Sequence, residues 1–424
     1  MKYYSTRSKT EAVSFSSAAL AGLAPDGGLY VPSEIPQYPS AVKTSLKTMS
    51  FKDITYETIL PWVKDDIKNT DLEDMIHSAY PFDAPVNETG DRFVLELFHG
   101  PTAAFKDFGA RFMARAFSYL RRGEDKPLKI LVATSGDTGG AVADGFFNIE
   151  GISVTVLYPK GRVSPLQERQ IAGLGNNISA LAVEGCFDDC QRLVKQIFQD
   201  EEFGRFHNLT SANSINISRL IPQASYYASS AGQLPSSVIC VPSGNFGNLT
   251  AGLYAYKMGA PINKFIAATN INKTIPEFLE SGVYKTRESQ ITLSNAMDVG
   301  APSNYERMAA HFTLEEMRRL ILGTSVSDEE TLRTIENVYS MYFYILDPHT
   351  AVAWKAADKL KMDGKLSGNN NLIIVSTAHP AKFAETVEPI TGSVPLPPSL
   401  ENVMERKVIA KTIPVELEAL RECI

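Results

Sequence analysis

Two glycine-rich turns constrain the fold of this chain more than any other feature. Each turn follows an apolar run typical of a buried strand and precedes a helical pattern; one is centred on Gly136 and the other on Gly244. Strands that are apolar throughout and alternate with helices favour parallel sheets covered on both faces. We therefore predict an α/β protein made of two α/β halves, with mostly parallel sheets and a cleft between the halves.

The sequence divides into three predicted units. Residues 1–90 combine short strand patterns with helical patterns and form an N-terminal α+β unit. Residues 91–235 form the α/β half that carries the first glycine-rich turn. Residues 236–424 form the half that carries the second turn and the C-terminal helices.

Several polar segments directly follow predicted strands. These are Lys106, Ser135–Gly140, Ser243–Asn248 and Thr377. In open α/β folds ligands bind beyond the carboxyl ends of the strands, so we expect these segments to face one crevice.

Composition excludes several classes of function. The chain has 424 residues, a formal net charge of −7 and no long basic run, so nucleic acid is not expected as its main partner. No apolar run reaches the ~18 residues of a membrane span. Four cysteines in a chain of this length do not make a disulfide framework, and the first residues lack the pattern of a secretory signal. We expect a cytoplasmic protein.

A single lysine lies in the apolar segment 98–112, which begins Phe-His-Gly-Pro-Thr. Apolar residues recur at helical spacing after Lys106, so the lysine lies near the start of a predicted amphipathic helix. One interpretation is a surface lysine whose stem covers apolar surface. The other is a Schiff-base lysine made nucleophilic by desolvation or by a neighbouring cation.

The turn at Ser243–Asn248 has the features of a phosphate cup. Its glycines let backbone approach a ligand, and the following helix presents free N–H groups to an anion. The alternative is a tight turn needed only for packing. Neither the P-loop pattern nor the dinucleotide fingerprint is present, which weakens a nucleotide-binding function.

The turn at Thr134–Gly140 offers hydroxyls and amides that suit a carboxylate or phosphate. The alternative is a helix start capped by Ser135 or Asp137. Asp137 would add like charge to an anion site unless it is protonated or points away. His349 and His379 lack metal-site spacing and are interpreted as satisfied or surface histidines, and we expect no metal.

In this order, the motifs of the chain closely resemble those of the threonine synthase family, pyridoxal-phosphate enzymes of fold type II in the tryptophan-synthase-β-like group. The matching segments are Tyr4–Arg7, Gly22–Pro32, Phe98–Asp107, Ala133–Gly139, Ser243–Asn248 and Ser376–Phe383. The family reaction converts O-phosphohomoserine and water to threonine and phosphate.

The resemblance implies a role for each motif. Lys106 would carry the cofactor as a Schiff base, and Thr377 would bind the nitrogen of its pyridine ring. The cofactor phosphate would be held by Gly244, Asn245, Phe246, Gly247 and Asn248. The cofactor's 3′-oxygen and the acidic groups of the substrate would lie against Ser135, Gly136, Asp137, Thr138 and Gly139. Related enzymes of the group often have Asn where this chain has Asp137.

Two other functions are weighed against this one. A serine/threonine dehydratase or β-replacement enzyme of the same fold would share the lysine and the phosphate loop but should lack the N-terminal unit. A non-catalytic protein that only binds phosphorylated metabolites would not need Lys106. The sequence does not determine which side chains bind the substrate phosphate; the candidates are Arg162, Ser164, Arg169 and Lys382. It does not determine the oligomeric state either.

Overall fold

A computed structural model describes residues 1–366 and 371–424. The N-terminal part pairs two short antiparallel strands and surrounds them with helices. Its elements are β1 (Tyr3–Ser5), α1 (Phe15–Ala21), β2 (Tyr30–Pro32), α2 (Ser40–Ser45), α3 (Phe51–Val63) and α4 (Asn69–Ala79).

From residue 86 onward, strands alternate with helices. The first elements of this part are β3 (Val86–Thr89), β4 (Arg92–Glu96), α5 (Lys106–Leu120), β5 (Leu128–Ala133), α6 (Asp137–Phe146), β6 (Ile152–Pro159), α7 (Pro165–Ala172), β7 (Ile178–Val183), α8 (Phe187–Gln199), α9 (Glu201–His207) and β8 (Leu209–Thr210).

The remaining elements complete both large sheets. They are α10 (Ile217–Leu220), α11 (Ala224–Gln233), β9 (Ser237–Pro242), α12 (Gly247–Met258), β10 (Ile262–Thr269), α13 (Thr274–Ser281), α14 (Tyr305–His311), α15 (Leu314–Leu320), β11 (Ile321–Ser325), α16 (Asp328–Tyr342), α17 (Pro348–Met362), β12 (Leu372–Ser376), α18 (Ala384–Thr391), α19 (Pro398–Met404), β13 (Lys411–Ile413) and α20 (Leu417–Arg421). Short 3₁₀ helices lie at Ile221–Gln223, Asn295–Met297 and Pro380–Phe383.

The two large sheets are mostly parallel. One has the strand order β11-β10-β9-β12-β4-β3, in which only the β3–β4 pair is antiparallel. The other has the order β13-β7-β6-β5-β8 and is parallel throughout. The predicted α/β class, with parallel sheets and an N-terminal α+β unit, is confirmed.

The sheets do not follow the boundaries at residues 91 and 236. Strand β4 pairs with β12 through Phe93–Glu96 and Ile373–Ser376, and β13 joins the five-stranded sheet beside β7. Each α/β half therefore takes strands from distant parts of the chain. Lys106 consequently follows a strand of the same sheet as Ser243–Asn248 and Thr377, whereas Ser135–Gly139 follow β5 of the other sheet.

The N-terminal part packs against the body of the protein. Trp62 of α3 stacks on Tyr254 of α12, with ring centroids 5.6 Å apart and an interplanar angle of 11°. This contact supports the helix that begins at the predicted phosphate loop. Of the helices at residues 1–366 and 371–424, none is long and apolar enough to cross a membrane.

Candidate active site

The lysine segment and the Thr377 segment are joined by main-chain hydrogen bonds. Strands β4 and β12 end side by side, and Phe105 donates its N–H to the carbonyl oxygen of Thr377 at 2.8 Å. The N–H of His379 donates to the carbonyl oxygen of Ala103 at 3.0 Å. Lys106 and Thr377, two of the predicted site residues, therefore lie in the loops that follow two neighbouring strands of one sheet.

Asp107 fixes the loop that leads into α5. Its carboxylate accepts hydrogen bonds from the N–H of Thr102 at 2.9 Å and from the Thr102 hydroxyl at 2.6 Å. Gly100 makes room for this contact, because a Cβ there would lie 2.3 Å from Asp107 Oδ2. Helix α5 therefore begins, at Lys106, after a loop that is fixed by Asp107 and by the Thr377 segment.

Lys106 is largely buried but not sealed. Its side chain is 14% exposed, and its Nζ lies 3.9 Å from Asp137 Oδ2. Burial lowers the pKa of Lys106 to about 8, against the attraction of Asp137; the charges of Lys382 and Arg219 lower the pKa further. An amine in this environment is a better nucleophile near neutral pH than a surface lysine.

Asp137 faces the lysines and does not cap α6. The N-cap is Gly136, whose φ of +148° favours glycine. No side chain among the described residues caps this helix end. Asp137 Oδ1 lies 2.8 Å from Lys382 Nζ and accepts a hydrogen bond from Gln167 Nε2 at 2.9 Å. Burial alone would raise the pKa of Asp137, but Lys382 and then Lys106 hold it well below its usual range. The carboxylate is therefore ionised, and its charge is balanced.

The rest of the first turn keeps its hydroxyls available. Thr134 Oγ1 accepts hydrogen bonds from the N–H groups of Gly136 at 3.0 Å and Gly139 at 2.9 Å, which shapes the loop. The hydroxyls of Ser135 and Thr138 are half-buried and have no partner among the described residues. These two side chains are free to bind a polar ligand.

The second turn also leaves donors unused. Phe246 adopts a left-handed conformation with φ of +59°, and Gly244 packs against the backbone of Met297. Within residues 1–366 and 371–424, the N–H groups at positions 244–249 have no acceptor. A Cβ at Gly247 would make a tight contact, 3.3 Å from Asn304 Nδ2, whereas glycine leaves the N–H groups of this turn uncovered. This is the environment that an anion at a helix N-terminus requires.

The two asparagine side chains of this loop bind protein groups. Asn245 donates to Ser214 Oγ at 2.9 Å and accepts from the N–H of Ser303 at 2.6 Å. Asn248 Oδ1 accepts from the hydroxyls of Tyr226 at 2.6 Å and Tyr227 at 2.7 Å. These contacts hold the loop in place, whereas Asn248 Nδ2 and the N–H groups of the loop have no partner among the described residues.

Thr377 directly follows β12 and has an unused hydroxyl. The residue is 6% exposed, and its Oγ1 has no hydrogen-bond partner in the part of the chain that the structure describes. Close by, His349 is satisfied: Nδ1 lies 2.9 Å from Asp347 Oδ1, and Nε2 accepts the N–H of Ala296 at 3.2 Å. His379 accepts the N–H of Ala381 at 3.2 Å.

The candidate side chains for binding a substrate phosphate differ in access. Lys382 is completely buried and is held by Asp137 and by the carbonyl oxygen of Thr102 at 2.8 Å, so it is withdrawn from a ligand. Ser164 caps α7 by accepting the N–H of Gln167, and Arg169 donates to the carbonyl oxygen of Pro165 at 3.3 Å. Arg162 is exposed at the end of β6.

Sequence reasoning missed Gln167 and Arg219. Gln167 was visible as the last residue of a Ser-x-x-Gln capping box, a pattern that predicts a helix start but not a contact with Asp137. Arg219 carried no sequence signal, although its buried guanidinium lies close enough to lower the pKa of Lys106.

Family profiles match almost the whole chain. The profile described as pyridoxal-phosphate dependent enzyme matches residues 82–377. The profile of the threonine synthase N terminus matches residues 2–80, and that of the threonine synthase C-terminal part matches residues 350–424. The N-terminal match covers the unit that a dehydratase of the same fold should lack.

Individual proteins agree with the profiles. The chain is 42% identical to threonine synthase from Escherichia coli strain K12 over 429 residues, which cover 100% of this chain and 99% of that protein. The crystal structure of the Escherichia coli enzyme matches with a TM-score of 0.92 at 41% identity, over 100% of this chain and 99% of that one. A PLP-bound threonine synthase from Brucella melitensis matches with a TM-score of 0.93 at 38% identity, over 100% and 98%. With these matches over the whole chain, and with Lys106 and Asp137 brought to 3.9 Å from two different sheets, the chain belongs to the pyridoxal-phosphate-dependent threonine synthase family.

Proposed function

We propose that this member of the family converts O-phosphohomoserine and water to threonine and phosphate at the site around Lys106. The observation that carries the proposal is the position of this amine. Lys106 Nζ lies 3.9 Å from Asp137 Oδ2, and its loop is bonded to the Thr377 segment. The reaction requires a lysine, anion-binding turns and a neutral hydroxyl, and these groups follow strands of the two large sheets.

The residues present fit pyridoxal phosphate. Unpaired N–H groups at positions 244–249 match the cofactor's phosphate, and the lack of a side chain at Gly247 permits close approach. The free hydroxyl of Thr377 would face the ring nitrogen, and the amine of Lys106 would hold the cofactor's aldehyde carbon. When bound, the cofactor supplies an electron sink for carbanion chemistry.

Lys106 is also the base of the proposed mechanism. Once its amine is released by the substrate, Nζ takes a proton from the substrate's Cα and moves protons to and from Cβ and Cγ. Its pKa of about 8 suits this exchange near neutral pH. A positioned base of this kind contributes roughly 10²–10⁴ in rate.

The first glycine-rich turn would bind the acidic groups of the substrate. Ser135 and Thr138 offer hydroxyls without partners among the residues described, and Asp137 does not oppose an anion because Lys382 balances its charge. Thr377 brings no formal negative charge to the ring nitrogen. The ring is thereby left less electron-withdrawing than an acidic partner would make it.

We further propose a cytoplasmic location and a small-molecule substrate as the main ligand. Cys186, Cys190, Cys240 and Cys423 are all free thiols, which suits a reducing compartment.

The test is an assay of the purified, cofactor-loaded protein with O-phosphohomoserine. Threonine and inorganic phosphate should form one for one. Serine and threonine lack the phosphate, and sites built for a charged group reject such analogues by factors of about 10⁴ or more, because polar groups are left unpaired. Faster deamination of serine or threonine would instead establish a dehydratase, and tight binding without turnover would establish a binding protein.

A further inference from the structure

A second buried lysine faces the same carboxylate as Lys106. The side chain of Lys382 is 0% exposed, and its Nζ lies 2.8 Å from Asp137 Oδ1 and 2.8 Å from the carbonyl oxygen of Thr102. The other carboxylate oxygen, Asp137 Oδ2, lies 3.9 Å from Lys106 Nζ. Asp137 therefore stands between two amines, close to one and farther from the other.

The position of Lys382 is fixed at both ends of its side chain. Its backbone N–H donates to the carbonyl oxygen of His379 at 3.1 Å, and the Thr102 carbonyl that holds its Nζ also accepts from Gln170 Nε2 at 3.1 Å. The amine therefore cannot follow a ligand into the cleft without breaking both bonds. Its charge therefore acts on Lys106 from a fixed position, directly by repulsion and indirectly by holding Asp137.

Stability alone gives a poor reason for this pair. The cost of desolvating a buried lysine and aspartate offsets most of their attraction, and apolar residues of similar volume often stabilise as well. The charge balance near Lys106 gives a better reason. Three charged groups face this amine from three elements: Asp137 on α6, Lys382 on the 3₁₀ helix at Pro380–Phe383 and Arg219 on α10. Lys106 and Lys382 thus share the carboxylate of Asp137.

Without Lys382, Asp137 would be free to close the 3.9 Å gap and form a direct ion pair with the Lys106 ammonium. An opposite charge in direct contact favours the protonated amine, which cannot attack a carbonyl. With Lys382 in place, the carboxylate is held at Oδ1 by an ammonium and by Gln167.

We propose that Lys382 is a positioning residue for the family's reaction: it holds Asp137 away from Lys106 and so keeps the Lys106 amine nucleophilic. This inference rests on the proposed function of Lys106. It assigns Lys382 to the enzyme's own charge balance and not to the substrate phosphate.

The test measures the protonation of Lys106 directly on the full-length chain. Cofactor-free protein is treated with formaldehyde and cyanoborohydride across a pH series, and mass spectrometry of the Lys106 peptide gives the pH of half-maximal methylation. The reconstituted holoenzyme gives a second midpoint, from the pH dependence of its visible absorption. Lys382→Gln keeps hydrogen-bond donors for Asp137 and Thr102 but removes the charge.

Lys382→Gln should raise both midpoints by about one pH unit, which is a tenfold loss of neutral amine near neutral pH. Lys382→Arg should restore the wild-type midpoints because it keeps the charge. Gln167→Met is the matched control: it removes a neutral donor from the same oxygen and should leave the midpoints in place. Unchanged midpoints in folded Lys382→Gln would overturn the proposal.

A second variant decides the question if Lys382→Gln does not fold. Asp137→Asn removes the carboxylate and should lower the midpoints, and a midpoint that stays in place would also overturn the proposal. Borohydride labelling separates this inference from the proposed function. Loss of cofactor labelling at Lys106 in the wild type would refute the function, whereas labelling with an unmoved Lys382→Gln midpoint would refute only the role of Lys382.

Discussion

Phe105 donates its backbone N–H to the carbonyl oxygen of Thr377 over 2.8 Å, and this bond joins the two loops that carry the site. Lys106 is the next residue after the donor, and the Thr377 side chain belongs to the acceptor residue itself. The backbones that carry the amine and the hydroxyl are therefore joined by main-chain hydrogen bonds just beyond the ends of β4 and β12. The spacing of these two backbones does not depend on a flexible side-chain contact.

Lys106→Ala should abolish turnover while leaving the phosphate loop able to hold cofactor. The variant lacks the amine that attaches the cofactor and moves protons, but it keeps the N–H groups at positions 244–249. Borohydride reduction of the wild type should leave the cofactor on the Lys106 peptide, as measured by mass spectrometry. The variant should show no covalent label. A label recovered on any other lysine would contradict the assignment.

Gly247→Val should weaken cofactor retention by at least tenfold. The glycine φ is not left-handed, so the expected effect is steric: a Cβ would lie in a tight contact 3.3 Å from Asn304 Nδ2, and the two methyl groups of valine would crowd the N–H groups of the first helical turn. Cofactor affinity can be measured by fluorescence on titration of the cofactor-free protein. Gly204→Val in α9 is the control, because a Cβ at Gly204 meets no atom within 4 Å. Equal affinities in the two variants would make the loop a packing turn only.

Asp107→Asn should change how stability depends on pH. Burial, with a smaller contribution from Asp144, raises the pKa of Asp107 to about 7, against the hydrogen bonds from Thr102. The unfolded carboxyl has a pKa of about 3.9. Between these values the unfolded chain releases a proton that the folded chain keeps, so this group's stabilising contribution is full below about pH 4 and is lost as the pH rises through about 7.

Asparagine stays neutral and removes this dependence. Raising the pH from 5 to 7 should therefore shift the difference in unfolding free energy in favour of Asp107→Asn by roughly 2–3 kcal/mol. Denaturant unfolding at the two pH values measures the shift. The same difference at both values would show that Asp107 is already ionised in the folded protein at pH 5.

The strands were predictable because they are apolar runs bounded by turns. The patterns at 93–98, 129–134, 238–242 and 372–377 correspond to strands at Arg92–Glu96, Leu128–Ala133, Ser237–Pro242 and Leu372–Ser376. Which strands pair was not predictable, because the pairing of Phe93 with Ile373 joins distant parts of the chain. That pairing decides which sheet carries Lys106.

Apolar spacing in the sequence overstates the length of two helices. The pattern over 217–231 predicts one helix, but the structure divides it at Pro222, which has no N–H to donate. The pattern over 314–322 predicts helix beyond Leu320, whereas Ile321–Ser325 pair with β10 as a strand. In both places apolar spacing continues while the hydrogen bonding changes.

The lining of the site was predictable in part. A common crevice for Lys106 and Asp137 follows from their places after strands, and the structure brings them to 3.9 Å. The pair of Lys382 with Asp137 was not predictable. It depends on how two segments 245 positions apart in the numbering turn their side chains inside the protein.

Thr377→Asp should lower threonine formation and raise abortive by-products. A carboxylate at this 6% exposed position would be a strong, poorly screened partner for the ring nitrogen. It would favour a protonated ring and a more strongly stabilised carbanion, which has more time for side reactions such as transamination. Thr377→Ser keeps the hydroxyl and is the matched control; it should retain most of the wild-type product ratio. The measurement is threonine, keto acid and phosphate formed per cofactor in the same reaction mixture. If Thr377→Asp gives the wild-type rate and product ratio, the Thr377 side chain does not face the ring, and the neutral-partner hypothesis must be abandoned.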